Sequence, residues 1–306
     1  MPEAAIPSRQ YEYIVVGSGA GGGTLAARLA EAGRSVLLLE AGSDTADSSD
    51  ERLPEDYQVP AFHAFASENP AMRWDFFVRH YDDEEQQKKD CKYTVERGGV
   101  LYPRAGTLGG CTAHNAMILV YPLNADWDHI EQLTGDSSWS ATNMRKYFER
   151  LEDCHHRWLK RWIRNLTGWN PSRHGFAGWL TTEVALPMEA LGNRYLKQVL
   201  EESAIDASLQ IGHRFKRLRW FFKTRGDPND WRLVKANAFG LRLLPLTTQD
   251  HGRIGTRERV RTVAGRFSQK FHIECDALVT RVLFDEHRAI GVEYLKGKHL
   301  YRAHAQ

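Results

Sequence analysis

The stretch YEYIVVGSGAGGGTLAARLAEAGRSVLLLEAG, residues 11–42, decides the fold class. An apolar run, a glycine cluster, an alanine-rich segment and a second apolar run follow one another and end at Glu40, the pattern of a βαβ unit. Tyr13 to Val16 suit a buried parallel strand, and Ser35 to Leu39 suit a second one. Ala20 to Ala32 suit a helix whose small residues allow close packing on the sheet, with Gly33 marking its end. Gly17, Gly19 and Gly22 have the GxGxxG spacing. The first permits the tight turn, the second lets the backbone approach a pyrophosphate, and the third brings helix and strand together. Phosphate then lies on the helix N-terminus, so Ser18, Ala20 and Ala41 join the glycines as cofactor-binding positions. Glu40 is placed to accept hydrogen bonds from a ribose 2'-hydroxyl and to repel a 2'-phosphate, which favours FAD or NAD over NADP. The motif alone does not separate those two.

The rest of the composition narrows the partner. The chain has 306 residues, 42% of them hydrophobic, enough for one large or two ordinary domains. Its 41 Lys and Arg against 39 Asp and Glu give no strong field for nucleic acid or an acidic membrane, so a small molecule is the expected ligand. Four cysteines without a CxxC pair indicate neither a zinc ribbon nor a disulfide framework, and fit a reducing cytoplasm. No targeting segment and no membrane span are expected. Two stretches, HHRWLKRWIR and HRFKRLRWFFK, interleave basic and aromatic residues. They read as helices whose Lys and Arg snorkel around an apolar stripe, in preference to nucleic-acid surfaces. Cys154, His155 and His156, taken as helical neighbours, point in different directions, so no metal site is expected.

A second glycine-rich stretch, GTLGGCTAHNAMI at residues 106–118, separates FAD from NAD by resemblance. It resembles the flavin loop of the glucose-methanol-choline (GMC) oxidoreductases. NADWDHI, SSWSATNMRKYFERLE, FAGWL, GDPNDWR with Gly240 and Pro245, GRIGTRERVRT and FHIECDALVTRVLFDEHRAIGVEYLKG resemble later family segments, in family order. The resemblance implies FAD, an α/β architecture with a Rossmann-like FAD-binding domain and an α+β substrate domain, and hydride transfer from an alcohol carbon to flavin N5. Choline-like or other primary alcohols are the implied substrates, as in choline-dehydrogenase-like members; the electron acceptor is left open. Gly106, Gly109 and Gly110 would let backbone lie against the isoalloxazine ring. By matched position the resemblance assigns Asn115, Ala116, Met117 and Ile118 to the flavin lining, and the Val279 backbone to the adenine. Cys111 in the same loop reads as a small packing residue. His114 stands where some members carry a histidine bonded covalently to the flavin 8α-methyl carbon. A histidine that only packs or hydrogen-bonds locally is the other reading.

Three regions are expected: an FAD-binding part over 1–150, a substrate-domain portion over 151–260, and a β-meander returning to the FAD domain over 261–306. In the helix after Ser140, an expected N-cap, Met144, Tyr147, Phe148 and Leu151 share a candidate core face. The family's later catalytic histidine, paired with a second histidine or an asparagine, has no counterpart here. The chain therefore reads as an N-terminal half, a fragment or split gene product, with no catalytic residue of its own and an open sheet edge. The missing half as a separate chain is then a candidate partner. The alternatives are a non-catalytic FAD-binding module, a lyase keeping FAD structurally, and an NAD-dependent Rossmann dehydrogenase.

Overall fold

The glycine-punctuated unit forms as its sequence dictates. In the computed structural model, which describes residues 11–44, 55–184, 226–238 and 242–306 together with Arg194, Tyr195, Gln198 and Glu202, β1 (Tyr13–Val16) runs into α1 (Ala20–Glu31) and β2 (Val36–Leu39). β1 and β2 are parallel, with Tyr13 opposite Val36. The chain divides into two compact units, one of Met1–Ala116 with Gly252–Gln306 and one of Met117–His251. The divisions expected at 150 and 260 therefore differ from the observed ones, because the two helices after Leu123 pack with the second unit.

In the first unit, β3 (Arg73–Val78), β4 (Tyr93–Thr94) and β5 (Gly99–Ala105) make an antiparallel sheet in the order β3-β5-β4. The second unit begins at Met117 and contains α2 (Asn124–Thr134), α3 (Ala141–Leu151), β6 (Glu152–Cys154) and α4 (Trp158–Thr167). It continues with β7 (Leu180–Val184), α5 (Trp231–Lys235) and β8 (Pro245–Leu246), in a sheet ordered β6-β7-β8. The chain then re-enters the first unit through α6 (Thr256–Arg266), β9 (Phe271–Glu274), β10 (Ala277–Asp285), β11 (Arg288–Lys296) and β12 (His299–His304).

β2 is the centre of the first unit. It pairs in parallel with β1 on one side and β9 on the other, and its side chains are buried on both faces. Val36 and Leu38 pack with Ala26, Ala27 and Ala30 of α1 and Val260 and Val263 of α6. Leu37 and Leu39 pack with Ala277, Val292, Tyr294 and Ala303 of the antiparallel meander β10-β11-β12. A strand covered on both faces needs an unbroken apolar run, and VLLL supplies one. Each such side chain contributes about 1.5–3 kcal/mol on burial. β1 is an outer strand, and only Val15 of the expected buried run is fully covered; Tyr13 and Val16 are exposed. The meander closes with a two-residue turn, Glu286 and His287, between the paired Asp285 and Arg288.

In the second unit the structure departs from several expectations for physical reasons. Cys154 lies on a strand, not a helix. The chain leaves α3 in extended geometry at Glu152, and Gly175 and Gly178 press so close that a Cβ on either would meet backbone oxygens of residues 149–152 at under 2.6 Å. Ser140 sits at the N-cap of α3 without a side-chain cap bond. The buried face of α3 carries Ala141, Arg145 and Phe148, with Tyr147 turned out. The Arg145 guanidinium is held by the carbonyls of Ser172, Arg173 and Asn229 and lies over the rings of Tyr121, Phe148 and Trp231, so a charged residue is the one its core accepts. Finally, α4 reverses the snorkelling pattern. Lys160 pairs with Asp230 and Arg161 with Asp153, while Trp158, Trp162 and Leu166 are exposed. The second basic-aromatic stretch, 213–223, and Gly240 lie outside the described residues.

Candidate functional site

The first unit gathers most of the sequence-predicted positions at the C-terminal ends of β1 and β2. Gly17 turns the chain at φ +88°, which a side chain would strain, and its amide donates to Leu39 O at 2.7 Å. A Cβ at Gly22 would stand 2.0 Å from Gly17 O, so this glycine brings α1 against the turn. Gly19 is the N-cap of α1 without a side-chain cap, and the first turn has no acidic residue. The N-terminal amides of α1, at Ala20, Gly21 and Gly22, are therefore left to an outside acceptor, the arrangement that receives phosphate.

Glu40 closes this loop from the end of β2. Its Oε2 accepts from Ser18 N at 2.8 Å and from Ser18 Oγ at 2.5 Å, and its Oε1 accepts from Gly42 N at 2.9 Å. The carboxylate thus buttresses the glycine turn, a job the sequence did not assign to it. A carboxylate has about four acceptor sites, which leaves one for a ribose hydroxyl. Ala41 is half-buried beside it. Asp276 N donates to Gly42 O and Ala277 N to Glu40 O, drawing the start of β10 to the same corner. Val279 follows on β10, opposite Tyr294, and its side chain packs on the Leu37 and Leu39 face.

The second glycine stretch lies directly on the first. Gly19 is 4.0 Å from Gly110 by the position its Cβ would take, and a Cβ on Gly110 would come within 2.7 Å of Gly19 Cα. Gly109 N donates to Ser18 Oγ at 2.8 Å, and Gly109 itself is left-handed at φ +101°. The 3-10 turn Gly110–Ala113 then carries the chain to His114. The glycines here serve loop-on-loop packing: Gly106 has the Trp74 indole within 2.7 Å of where a Cβ would be, and Gly109 faces Arg257. Loop packing is thus a second reason for glycine at these positions, beside the expected contact with a flavin ring.

Past that turn, Arg253 organises the loop. Its Nη1 donates to Thr112 O, Asn115 O and Asn115 Oδ1, and its Nε donates to Tyr57 O. Tyr57 Oη donates to Glu258 at 2.5 Å, and burial pushes the phenol upward from its usual range. Tyr57 carries no motif, and Arg253 lies in the quoted stretch GRIGTRERVRT without an assigned role, so neither is singled out by its local sequence. His114 is half-buried; burial, and then the charges of Arg253 and Arg104, hold its imidazole below the ordinary histidine range. Its Nε2 is buried and has no hydrogen-bond partner among the described residues. A neutral imidazole with a free ring nitrogen has the chemistry of a nucleophile.

Three further predicted positions complete the set. Cys111 is exposed, not packed. Met117 and Ile118 belong to the second unit. Met117 is buried at φ +58° with its carbonyl held by Thr247 N at 2.7 Å, whereas Ile118 is half exposed and bridges to Leu246.

Comparison with known proteins follows the same lines. A family model described as an NAD(P)-binding Rossmann-like domain matches residues 15–79. The oxygen-dependent choline dehydrogenase of Pectobacterium atrosepticum is 28% identical over 298 residues, 97% of this chain and 44% of that protein. The chain is a relative of the GMC oxidoreductases. The choline dehydrogenase of Xanthomonas campestris is 29% identical over 94% of this chain and 43% of its own length. Among solved structures, pyridoxine 4-oxidase from Mesorbium loti shares the fold with a TM-score of 0.67 at 19% identity, covering 97% of this chain and 48% of that one. Aspergillus oryzae formate oxidase does so at 0.63 and 17%, covering 99% and 45%. The chain spans less than half the length of the curated relatives it matches. Among the described residues no helix is long and apolar enough to cross a membrane.

Proposed function

We propose that this chain provides the FAD-binding part of an oxidoreductase acting on CH–OH donors, with a small primary alcohol as substrate. The observation that carries the reading is the junction of the two glycine loops at Gly19 and Gly110. One loop ends at an uncapped helix N-terminus suited to pyrophosphate, and the other leads from the same point to His114. A long dinucleotide with a flavin at one end matches that span. Glu40 orients the ribose, the α1 amides hold phosphate, and Arg253 fixes the Asn115 backbone and side chain beside His114. Bound FAD would supply the hydride acceptor. The buried free nitrogen of His114 supports a covalent tether to it. The names of the curated relatives support choline-like alcohols. Four free cysteines support a reducing, cytoplasmic location.

The test is to purify the full chain, incubate it with FAD or with NADH in turn, and read flavin absorbance and nicotinamide fluorescence after desalting. Retained flavin supports the proposal. NADH retention without flavin would replace it with a nicotinamide dehydrogenase.

A further inference from the structure

The second unit buries a group of side chains that the flavin site does not use. Glu152 and Cys154 are on β6, His156 follows it, His174 precedes β7, and Asp227 leads into α5. Glu152, Cys154 and His174 are completely buried in side chain or nearly so, and Asp227 almost as fully. The facing atoms of Glu152, Cys154 and His174 lie within 4.8 Å of one another. Cys154 Sγ is 3.6 Å from the His156 ring nitrogens. Asp227 Oδ2 is 2.9 Å from His156 Nε2 and 3.0 Å from His174 Nε2.

The two histidines are held in the same way. His174 Nδ1 is 2.9 Å from Glu152 Oε2, and His156 Nδ1 is 3.4 Å from Thr182 O. In a neutral imidazole, an acceptor at Nδ1 places the ring proton there and leaves Nε2 with a lone pair. Both Nε2 atoms face Asp227 Oδ2, itself an acceptor; an Nε2 proton would serve that oxygen in the metal-free chain, and its loss would free the lone pair for a cation. That oxygen also receives Arg157 Nε at 2.9 Å. Three nitrogens at about 3 Å exceed the two lone pairs of one oxygen. Moreover, the His174 Nε2 contact lacks hydrogen-bond alignment, and this wholly buried atom has no hydrogen-bond partner among the described residues. His156 Nε2 is aligned with that oxygen at 2.9 Å while His174 Nε2 is not, so the oxygen satisfies one ring and leaves the other buried nitrogen turned into the shared space. A cation in that space meets both histidine lone pairs and one of the oxygen's, leaving the other for Arg157.

We propose that this cluster is a structural zinc site, with Cys154 Sγ, His156 Nε2, His174 Nε2 and Asp227 Oδ2 as its four ligands. One sulfur, two imidazoles and a carboxylate are a donor set that zinc takes in tetrahedral geometry. Bonds of about 2.0–2.3 Å put tetrahedral ligands roughly 3.3–3.6 Å apart, so the measured 2.9–3.6 Å spacings need only small movements to admit the ion. Glu152 and Thr182 O complete the arrangement as the outer acceptors that orient ligating histidines. Glu152 is itself fixed by Gly175 N and by Thr182 Oγ1. Charge is consistent as well: Glu152, the Cys154 thiolate and Asp227 face Arg157 and two protonated imidazoles in the metal-free chain, and a dication can take the place of the two ring protons. On binding, the protons on His156 Nε2 and His174 Nε2, and the Cys154 S–H proton where the thiol still holds it, leave to solvent as the Zn–N and Zn–S bonds form. With all four positions taken by protein, the ion would tie β6, the start of β7 and the segment before α5 together without acting on substrate.

The full chain, expressed in zinc-supplemented medium and desalted, should carry close to one zinc per molecule by elemental analysis. Stripping with a strong chelator should lower its melting temperature, and zinc, but not magnesium or calcium, should restore it. His155→Ala, which changes a neighbour paired only with Asp153 on the surface, should keep the metal. Cys154→Ser and His174→Gln should lose it, and Glu152→Gln should weaken retention about 10- to 100-fold in competition with a chelator. If those variants do not fold, the wild-type measurements still decide. Less than a tenth of an equivalent of zinc, with a melting curve unchanged by added zinc, would overturn the proposal and leave a buried hydrogen-bonded ion network.

Discussion

Gly19 and Gly110 meet backbone to backbone: a methyl group on Gly110 would stand 2.7 Å from Gly19 Cα. Ninety residues of chain separate them, yet this contact is what makes two glycine loops into one surface. Ser18 reinforces it, donating to Glu40 Oε2 and accepting from Gly109 N.

Gly110→Ala should therefore disturb both loops at once. At φ +54° the new side chain costs about 1–2 kcal/mol of backbone strain, and the overlap with Gly19 adds about 1–3 kcal/mol. Thermal unfolding and flavin titration should both report the loss. Gly21→Ala, at a position with nothing within 4 Å, should leave stability nearly unchanged or raise it. Equal stability of the two variants would mean that the loops do not rely on this contact.

Arg253 supports the same loop from behind. Arg253→Ala leaves the carbonyls of Tyr57, Thr112 and Asn115 and the Asn115 side chain without their donor. At about 1–3 kcal/mol for each buried acceptor left unpaired, the loop between Thr112 and Asn115 should loosen well before the rest of the unit melts. Hydrogen exchange at those amides should accelerate by at least tenfold while β2 stays protected. Uniform protection in the variant would argue that the loop is held elsewhere.

How much of this was legible in the sequence depends on whether a residue acts locally. Gly17 and Gly22 could be read at once, because a turn and a helix contact within a few residues impose their geometry on the motif itself. Glu40 was readable as a partner of the first loop but not as its buttress, since its bonds to Ser18 cross from one strand end to another. The packing role of the glycines at 106 and 110 is not visible in the sequence, because their neighbours, Trp74 and Gly19, come together only in the folded chain. The same applies to Arg145, which looks like a surface residue of an amphipathic helix, and to Cys154 and His156, whose partners His174 and Asp227 lie far along the chain.

Arg145 offers a direct measure of that hidden packing. Arg145→Met fills similar volume but strands the carbonyls of Ser172, Arg173 and Asn229, so the second unit should lose on the order of 3 kcal/mol or more in denaturant unfolding. Arg145→Lys should recover little of it, because a single ammonium cannot span the carbonyls that the planar fork reaches. A variant within about 0.5 kcal/mol of wild type would show that these carbonyls find water instead.

Thiol chemistry separates the four cysteines. Cys91 and Cys111 are exposed and should react with a disulfide reagent in the native protein, whereas Cys154 is buried and burial pushes the Cys275 thiol up to about 12. The native chain should thus titrate two thiols promptly and four after denaturation. Prompt reaction of a third would mean that β6 or the segment between β9 and β10 opens readily.

His114 carries the prediction that bears most on the cofactor. Its imidazole is held below the ordinary range by burial and by Arg253 and Arg104, so it is neutral, and nucleophilic, throughout the neutral range. Attachment of FAD, followed as colour that stays with acid-precipitated protein, should then proceed at a constant rate from pH 8 down through about 6.5 and fail only below the depressed folded value. Stability carries the same sign. Relative to His114→Asn, the wild type should hold its full margin above about pH 6.5 and lose it as pH falls, because the unfolded histidine takes up a proton that the folded one refuses until lower pH. The loss should level off below the folded value. Acid-stable colour that survives in His114→Asn would place the tether, if there is one, on another residue.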